Sequence, residues 1–295
     1  MILRTMLFTP VNHPRHVEKA LSGPTDAVIL DLEDAVAVDE KAAARRTLAG
    51  LLKGSPGWRP AVFIRVNALS TEFAHADLDI AVNHGVAGIL LPKVESSGQI
   101  AAADWLIGQL EAERGLEANS VELLPLIETA AGVTRIDEIA ASSPRIRRLT
   151  FGAGDFTLDT NMDWAPANEG VLWARVRTVI ASRAAGLAAP IDTVFPDLPD
   201  HHGFEGEARQ ARRLGFAGKL CLHPDQVAIA NEVFTPSAGE VAEANRILEA
   251  FERAVAGGSA SIQLEGRFID YPIAERARRV IEARRQAFKG EEAAV

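Results

Sequence analysis

The chain has 295 residues and a net charge of -9, with 47% hydrophobic and 24% charged residues. This is the composition of a globular protein of one or two domains, and its acidic balance argues against nucleic acid or anionic membranes as partners. Its one cysteine, Cys221, excludes an intrachain disulfide framework. No apolar run reaches the roughly 18 residues of a membrane helix. Residues 1–10 lack a signal-peptide pattern, so we expect a cytoplasmic protein.

Short apolar runs alternate along the chain with stretches of helical length. Eight runs predict strands, at residues 5–9, 27–32, 61–66, 87–91, 121–127, 148–152, 191–195 and 219–222. Several are apolar nearly throughout, which is typical of strands buried on both faces of a parallel sheet. Their starts recur about every 30 residues, the length of one βα unit. The pattern predicts an α/β protein with a (β/α)8 TIM barrel. An open, doubly wound sheet is less favoured because no glycine-rich turn follows the first strand.

Amphipathic stretches predict the helices between these strands, at residues 39–52, 97–113, 168–185 and 205–214. Their predicted N-caps are Asp39, Ser97 and Asn168, and their predicted C-terminal stops are Gly186 and Gly215. His201 and His202 are predicted to lie in a polar loop before the helix at residues 205–214.

The barrel is predicted to occupy residues 1–235 and a C-terminal helical extension residues 236–295. In this extension the pattern predicts a helix over 241–255, a flexible break at 257–261 and a final helix from 273 to about 288. A helix–linker–helix tail on a closed barrel predicts a lid, an oligomerisation arm, or both.

Charged side chains follow the predicted strands at the ends where a barrel carries its catalytic groups. These segments are DLED (31–34), RVN (65–67), PK (92–93), ET (128–129), GAGD (152–155) and HP (223–224). Turn formation alone would favour glycine, asparagine and serine at these places. We therefore expect the charged groups to face one functional cavity.

Glu128 and Asp155 follow neighbouring predicted strands. Two carboxylates so placed suit a hard divalent cation that keeps several waters, and Mg²⁺ is the natural candidate. Gly152 and Gly154 would let the backbone approach a ligand closely. The alternatives are a helix-capping role for Asp155 and an ion pair for Glu128.

Arg65 ends a strand that is predicted to be buried, so it needs an anionic partner. That partner is Asp31 or Glu33 in a structural interpretation. In the functional interpretation, which we favour, it is a substrate carboxylate or a developing oxyanion. Lys93 is interpreted as an ion-pair partner of the acidic cluster, and His223 as a pocket wall or hydrogen-bond donor.

Seven motifs, in order from about residue 4 to residue 275, resemble the citrate lyase beta-subunit family of the wider HpcH/HpaI aldolase and malyl-CoA lyase group. They are MLFTP (6–10) with Asn12, AVILDLEDAV (27–36), FIRVN (63–67), LPKVES (91–96), LIETA (126–130), FGAGDF (151–156) and HPDQ (223–226). One departure is that Val11 and His13 stand where relatives usually have glycine and a basic residue.

The resemblance implies a TIM barrel, usually a homotrimer or a dimer of trimers, that acts with Mg²⁺ on an acyl-CoA thioester. Glu128 and Asp155 would be the metal ligands, and Arg65 would bind substrate and support the thioester enolate oxygen. Glu128, Gly154 and His223 would also contact the substrate.

The same resemblance assigns residues to the coenzyme and to the lid. Phe8, Arg15 and Lys19 would hold the CoA moiety. Asp270, in a Gly-x-x-Ile-Asp-x-Pro segment, matches the lid aspartate that relatives place in the active site of a neighbouring subunit.

We therefore expect cleavage of a citryl-, malyl- or citramalyl-type thioester into an oxo acid and an acetyl or related acyl thioester. Arg65 would stabilise the enolate oxygen and Asp270 would protonate the enolate carbon. Glu33 or a metal-bound water would take the hydroxyl proton. The carrier of the acyl group is free CoA or an acyl-carrier partner protein.

Three alternatives stay open. A metal-dependent aldolase on free hydroxy-oxo acids would use the same carboxylates without CoA, and a malyl-CoA thioesterase would release free CoA. A non-catalytic partner subunit is less favoured because it would have no need of Arg65, Glu128, Asp155 and Asp270 together.

Overall fold

The computed structural model describes residues 1–53, 57–165 and 168–292. The chain divides into two compact units. One is Leu3–Asn231, and the other consists of Glu232–Val295 together with Met1–Ile2. A functional division between residues 235 and 236 stays a prediction.

The first unit is a closed barrel of eight parallel strands that follow one another in chain order. The strands are β1 Thr5–Pro10, β2 Ala27–Asp31, β3 Ala61–Arg65, β4 Gly88–Leu91, β5 Glu122–Ile127, β6 Thr150–Phe151, β7 Ile191–Asp192 and β8 Gly218–Cys221. Every predicted strand is present, so the (β/α)8 TIM barrel is confirmed.

The interior of the barrel is filled by apolar side chains that the strands point inward. Met6, Ile29, Phe63 and Leu90 belong to this core and are fully buried. Gly88 makes room for the aromatic ring, because a Cβ at this position would lie 2.6 Å from Phe63 Cε1. The barrel centre is therefore a packed core, and ligands must bind at its ends.

The barrel wall is uneven. The strands β6 and β7 have two residues each, and a single register pair, Thr150 with Ile191, joins them. Backbone pairing is thus weakest on the side of the barrel that carries Asp155.

Ten helices surround or continue from the barrel strands in the described residues, together with a 3-10 turn at Val38–Glu40. The helices are α1 Pro14–Leu21, α2 Lys41–Lys53, α3 Ala74–Ala81, α4 Ser97–Glu113, α5 Ala130–Thr134, α6 Ile136–Ala140, α7 Ala153–Thr160, α8 Glu169–Ala184, α9 His201–Leu214 and α10 Pro224–Phe234.

Two predicted N-caps were wrong. Ser96, not Ser97, caps α4, because its hydroxyl accepts from Gln99 N while the Gln99 side chain accepts from the Ser96 amide. Asp39 lies inside the 3-10 turn and caps no helix. The predicted cap Asn168 is confirmed, since its side chain accepts from the first turn of α8.

The prediction of a loop at His201 and His202 was also wrong, because both residues form the first turn of α9. The cause is Asp200, whose carboxylate accepts from Gly203 N at 2.8 Å and starts the helix earlier than the apolar pattern indicates. Gly215 ends α9 as predicted, in the left-handed conformation with φ 107°.

The second unit holds two long helices and a hairpin. Its elements are α11 Ala238–Ala256, β9 Ile262–Leu264, β10 Arg267–Ile269 and α12 Tyr271–Glu292. The two helices were predicted, whereas the hairpin was missed. Glu265 and Gly266, with φ 48° and 81°, form its two-residue turn. In the part of the chain that the structure describes, no helix is both long enough and apolar enough to cross a membrane.

Candidate active site

The pairing of β2 with β3 sets the first part of the site. It places Asp31 and Arg65 side by side at the strand ends. The Arg65 guanidinium donates through Nε to Asp31 Oδ1 at 2.7 Å and through Nη2 to Oδ2 at 2.6 Å. The third nitrogen, Nη1, lies 2.9 Å from Glu33 Oε2. Arg65 therefore has Asp31 and Glu33 as partners, as in the structural interpretation and not in the functional one that we favoured. Of the three guanidinium nitrogens, only Nη1 is not bonded to Asp31.

The surroundings of Arg65 favour its charged form. Burial by itself would lower the pKa of Arg65, but the carboxylates of Asp31, Glu33 and Asp34 raise it well above its ordinary value. The Phe8 ring lies against the guanidinium, with its centroid 4.7 Å from Arg65 Cζ. Phe8, which the resemblance assigns to CoA, is thus also a support for Arg65.

Lys93 links three acidic groups at the ends of different strands. Its backbone adopts a left-handed conformation with φ 51°, which is rare for a lysine and is often found at functional sites. Its amide donates to Glu128 Oε1 at 2.8 Å and its Nζ donates to Glu33 Oε1 at 2.6 Å. The same Nζ lies 3.4 Å from Asp155 Oδ1. The prediction that Lys93 is an ion-pair partner of the acidic cluster is confirmed.

Glu128 carries the most perturbed carboxylate of the site. It is 2% exposed, and its burial, reinforced by the negative charges of Asp155 and Glu33, raises its pKa to about 8. Gly152 lies directly against it, since a Cβ at that position would be 2.7 Å from Glu128 Oε2. In the metal-free protein the protonated form of Glu128 therefore persists to a higher pH than that of an ordinary glutamate.

The surplus of negative charge suits a divalent cation. Five carboxylates (Asp31, Glu33, Asp34, Glu128 and Asp155) are linked with Arg65 and Lys93, and Lys41 binds the backbone carbonyl of Glu33. When all eight side chains are ionised, the sum is an excess of two negative charges. In the described part of the chain, no three His, Cys, Asp or Glu side chains converge closely enough to hold a metal alone. Two carboxylates with water or substrate oxygens in the other positions fit Mg²⁺, which keeps several such ligands.

Glu33 is the second unusual carboxylate. It is 5% exposed, and its Oε2 lies near Arg65 Nη1 without making a well-aligned hydrogen bond. Burial raises the pKa of Glu33 above its usual range. Lys41, which the sequence analysis did not single out, holds this segment by donating from Nζ to the carbonyls of Leu32 and Glu33 at 2.7 and 2.6 Å.

Other predicted site residues make no hydrogen bond or ion pair with this acidic cluster among the described residues. Arg15 and Lys19 are exposed one turn apart on α1, where they present two positive charges on the same helix face. His223 is exposed beyond β8, with its Nδ1 3.4 Å from Asp225 Oδ2. Gly154 packs against Trp164, since a Cβ added at Gly154 would lie 3.1 Å from the Trp164 ring.

Asp270 belongs to the C-terminal unit. Its Oδ1 accepts from Ile273 N at 3.2 Å, and its carbonyl accepts from Ala274 N. Within its own unit it therefore acts as the N-terminal cap of α12, a role that the sequence analysis did not foresee.

Known proteins of one family match most of the length of this chain. The sequence model described as HpcH/HpaI aldolase/citrate lyase matches residues 4–224. The chain is 36% identical to citrate lyase subunit beta of Leuconostoc mesenteroides subsp. cremoris over 94% of its own length and 92% of that protein. It is also 36% identical to L-malyl-CoA/beta-methylmalyl-CoA lyase of Rhodobacter capsulatus, over 90% of each chain.

A solved structure extends the similarity to three dimensions. It is the protein CitE from Mycobacterium tuberculosis, in complex with magnesium, acetoacetate and coenzyme A. The two folds superpose with a TM-score of 0.79 at 28% identity, over 96% of this chain and 98% of the other.

Proposed function

Because this chain belongs to the HpcH/HpaI aldolase/citrate lyase family, we propose that it is a Mg²⁺-dependent carbon–carbon lyase. Its substrate is a 3-hydroxy-3-carboxyacyl thioester of the citryl-, malyl- or citramalyl-CoA type. The products are an oxo acid and an acetyl or related acyl thioester. The observation that carries the proposal is the pair of carboxylates, Glu128 and Asp155, joined by Lys93 at the strand ends.

Glu128 and Asp155 hold the metal in this proposal. When bound there, Mg²⁺ would polarise the hydroxyl and carboxylate of the substrate as a Lewis acid. Lys93 fixes the spacing of the two ligands through its amide and its ammonium group. It also offsets part of their mutual repulsion while the site is metal-free.

The proton steps use Glu33 and Asp270. Glu33 accepts the proton of the substrate hydroxyl, for which its raised pKa and its poorly bonded Oε2 are suited. The carbon–carbon bond then breaks, the hydroxyl carbon becomes the carbonyl of the oxo acid, and the bonding electrons form the thioester enolate. Asp270 gives a proton to the enolate carbon, which completes the acyl thioester.

Arg65 stabilises the negative oxygen of the enolate. Asp31 holds its guanidinium through two hydrogen bonds and so fixes the direction of the remaining Nη1 edge. A charged group that is already oriented stabilises developing charge without reorganising during the reaction.

We also propose the CoA contacts and the cellular setting. Arg15 and Lys19 bind phosphates of CoA, because both are exposed on one face of α1. The protein acts in the cytoplasm as a homotrimer or dimer of trimers, with Asp270 supplied by a neighbouring copy. If the acyl group is carried by a protein, that carrier is a further partner.

The assay that tests the reaction follows two products at once. Purified protein is mixed with Mg²⁺ and, separately, with citryl-, malyl- and citramalyl-CoA, and both oxo acid and free thiol are measured. The proposal expects oxo acid without free thiol from at least one substrate. Free thiol without oxo acid would identify a thioesterase and contradict the proposal.

A binding experiment separates the proposed lyase from an aldolase that acts on free acids. Saturable binding of a CoA thioester is expected for the wild-type protein and a clear loss for Arg15→Ala. The control is Arg46→Ala, which removes an exposed arginine of α2. Turnover of the free hydroxy-oxo acid at the thioester rate would favour the aldolase.

A further inference from the structure

The segment that carries Asp155 is held by few backbone hydrogen bonds. It follows the two-residue strand β6, which pairs with β7 at one register position only. On the β5 side, Gly152 N donates to Ile127 O at 3.0 Å and extends the ladder. On the β7 side, Ala153 N donates to a side chain instead, the hydroxyl of Thr193, at 2.8 Å. This hydroxyl takes the place of the next backbone acceptor.

Thr193 is itself held rigidly. It directly follows β7 and is 2% exposed, and its carbonyl accepts from Lys219 Nζ at 2.8 Å. Lys219 is fully buried and also contacts Asp192 Oδ2 at 2.9 Å and Glu207 Oε1 at 2.5 Å. The backbone that carries the Thr193 hydroxyl is therefore held by an ion-pair network that spans β7, β8 and α9.

The Thr193 hydroxyl is the acceptor of a buried amide. Ala153 is fully buried, so its amide would be left without an acceptor if the Thr193 oxygen were removed. Ala153 is the first residue of α7, and Asp155 lies in the same turn. Gly152, on the other side of Ala153, packs against Glu128. A displacement of Ala153 would therefore move Asp155 and the surface on which Glu128 rests.

We propose that Thr193 is a positioning residue of the metal site, which sets the spacing of Asp155 and Glu128 through the amide of Ala153. The inference rests on the proposed function, in which these two carboxylates hold Mg²⁺. Thr193 acts through the backbone and touches neither metal nor substrate. Groups that orient ligands in this way commonly affect metal affinity as well as activity.

The test titrates Mg²⁺ into metal-free, full-length protein by calorimetry. Thr193→Val, which keeps the side-chain shape without the acceptor, is expected to weaken Mg²⁺ binding about 10- to 100-fold. Thr193→Ser, which keeps the hydroxyl, should bind within about threefold of the wild-type protein. Turnover of Thr193→Val should need more Mg²⁺ for half-maximal rate and should recover partly at saturating Mg²⁺.

The matched control is Thr178→Val on α8. Thr178 is also fully buried, but among the described residues its hydroxyl donates only to Ala174 O, within its own helix. A merely structural loss of a buried hydroxyl would lower the melting temperature of both valine variants and leave Mg²⁺ affinity unchanged in both. Equal affinity of Thr193→Val and Thr178→Val overturns the inference, as does a serine variant as weak as the valine variant.

A second measurement decides the matter if Thr193→Val does not fold. In the metal-free wild-type protein, the Ala153 amide should exchange with solvent as slowly as the Gly152 amide, and fast exchange would overturn the inference. The proposed function fails separately, if the wild-type protein binds no Mg²⁺ or if Asp155→Asn binds it equally well.

Discussion

Two buried carboxylates, Glu111 at one end of the barrel and Glu128 at the other, are held in opposite ways. At the N-terminal end of the strands, Glu111 receives Arg145 through two hydrogen bonds of 2.7 and 2.6 Å, and its oxygens also accept from the amides of Asn119 and Val121. Burial alone would raise the pKa of Glu111, but these donors hold it below its usual range. At the C-terminal end, the pKa of Glu128 is raised to about 8.

The difference separates a structural carboxylate from one that is available to a ligand. Glu111 is surrounded by donors, so its charge is already stabilised by the fold. Glu128 accepts only the amide of Lys93 among the hydrogen bonds of the described residues, and it faces the like charges of Asp155 and Glu33. The described residues therefore leave the negative charge of Glu128 only partly stabilised, and a bound cation would supply the rest. This is what a site for a divalent cation requires.

The largest effect is expected from removal of either proposed metal ligand. Glu128→Ala and Asp155→Ala should abolish Mg²⁺-dependent turnover, because each deletes one of the two carboxylates in the proposed donor set. Oxo-acid release from the active thioester measures this. Glu113→Gln, an exposed change at the end of α4, is the control. Unchanged turnover in both alanine variants would remove the metal assignment.

Removal of Arg145, the partner of Glu111 at the N-terminal end of the strands, should lower the free energy of unfolding and leave Mg²⁺ binding intact. Arg145→Met leaves the buried carboxylate of Glu111 without its main partner, and breaking such a pair costs about 3–5 kcal/mol. Urea unfolding measures the loss, with the exposed Arg147→Met as control. A loss of Mg²⁺ affinity in Arg145→Met would contradict the separation of the two ends.

The pH dependence of stability should carry the signature of Glu128. Its folded pKa of about 8 lies above the usual value of 4.5, so the folded state favours the protonated form. This contribution is present at low pH and is lost as pH rises toward and through about 8. The melting temperature of Glu128→Gln, measured without metal, should therefore fall less than that of the wild-type protein between about pH 6 and about pH 9. Identical profiles would argue against the raised pKa.

The smallest effect is expected at the exposed edge of the acidic cluster. Asp34 contacts Arg65 Nη1 at 3.5 Å and Lys93 Nζ at 4.0 Å, and its side chain is 59% exposed. Asp34→Ala should change the free energy of unfolding by less than about 1 kcal/mol, as is usual for exposed ion pairs. A larger loss in urea unfolding would mean that burial does not distinguish this carboxylate from its neighbours.

The barrel could be predicted from the sequence because its eight strands are apolar runs that alternate with stretches of helical length. The hairpin of the C-terminal unit escaped because its strands have three residues each and lie mostly exposed. The early start of α9 escaped because the capping residue Asp200 precedes two polar histidines that break the apolar pattern.

The acidic cluster was foreseen for a similar reason, since charges directly after buried strands are visible in the sequence. For Arg65 the structural interpretation named Asp31 and Glu33, but we favoured a substrate partner, because the pairing with Asp31 depends on strand register, which only the folded barrel fixes. Thr193 was missed as well. A threonine next to a strand looks like an ordinary β-former, and nothing in the sequence pairs it with Ala153.

The most direct test of this account is a calorimetric titration of Mg²⁺ into metal-free protein, compared among the wild-type chain, Glu128→Gln, Asp155→Asn and Glu111→Gln. We expect binding to the wild-type protein and to folded Glu111→Gln, and none to the other two variants. Binding that survives both Glu128→Gln and Asp155→Asn would contradict the assignment of the metal to the C-terminal end of the barrel.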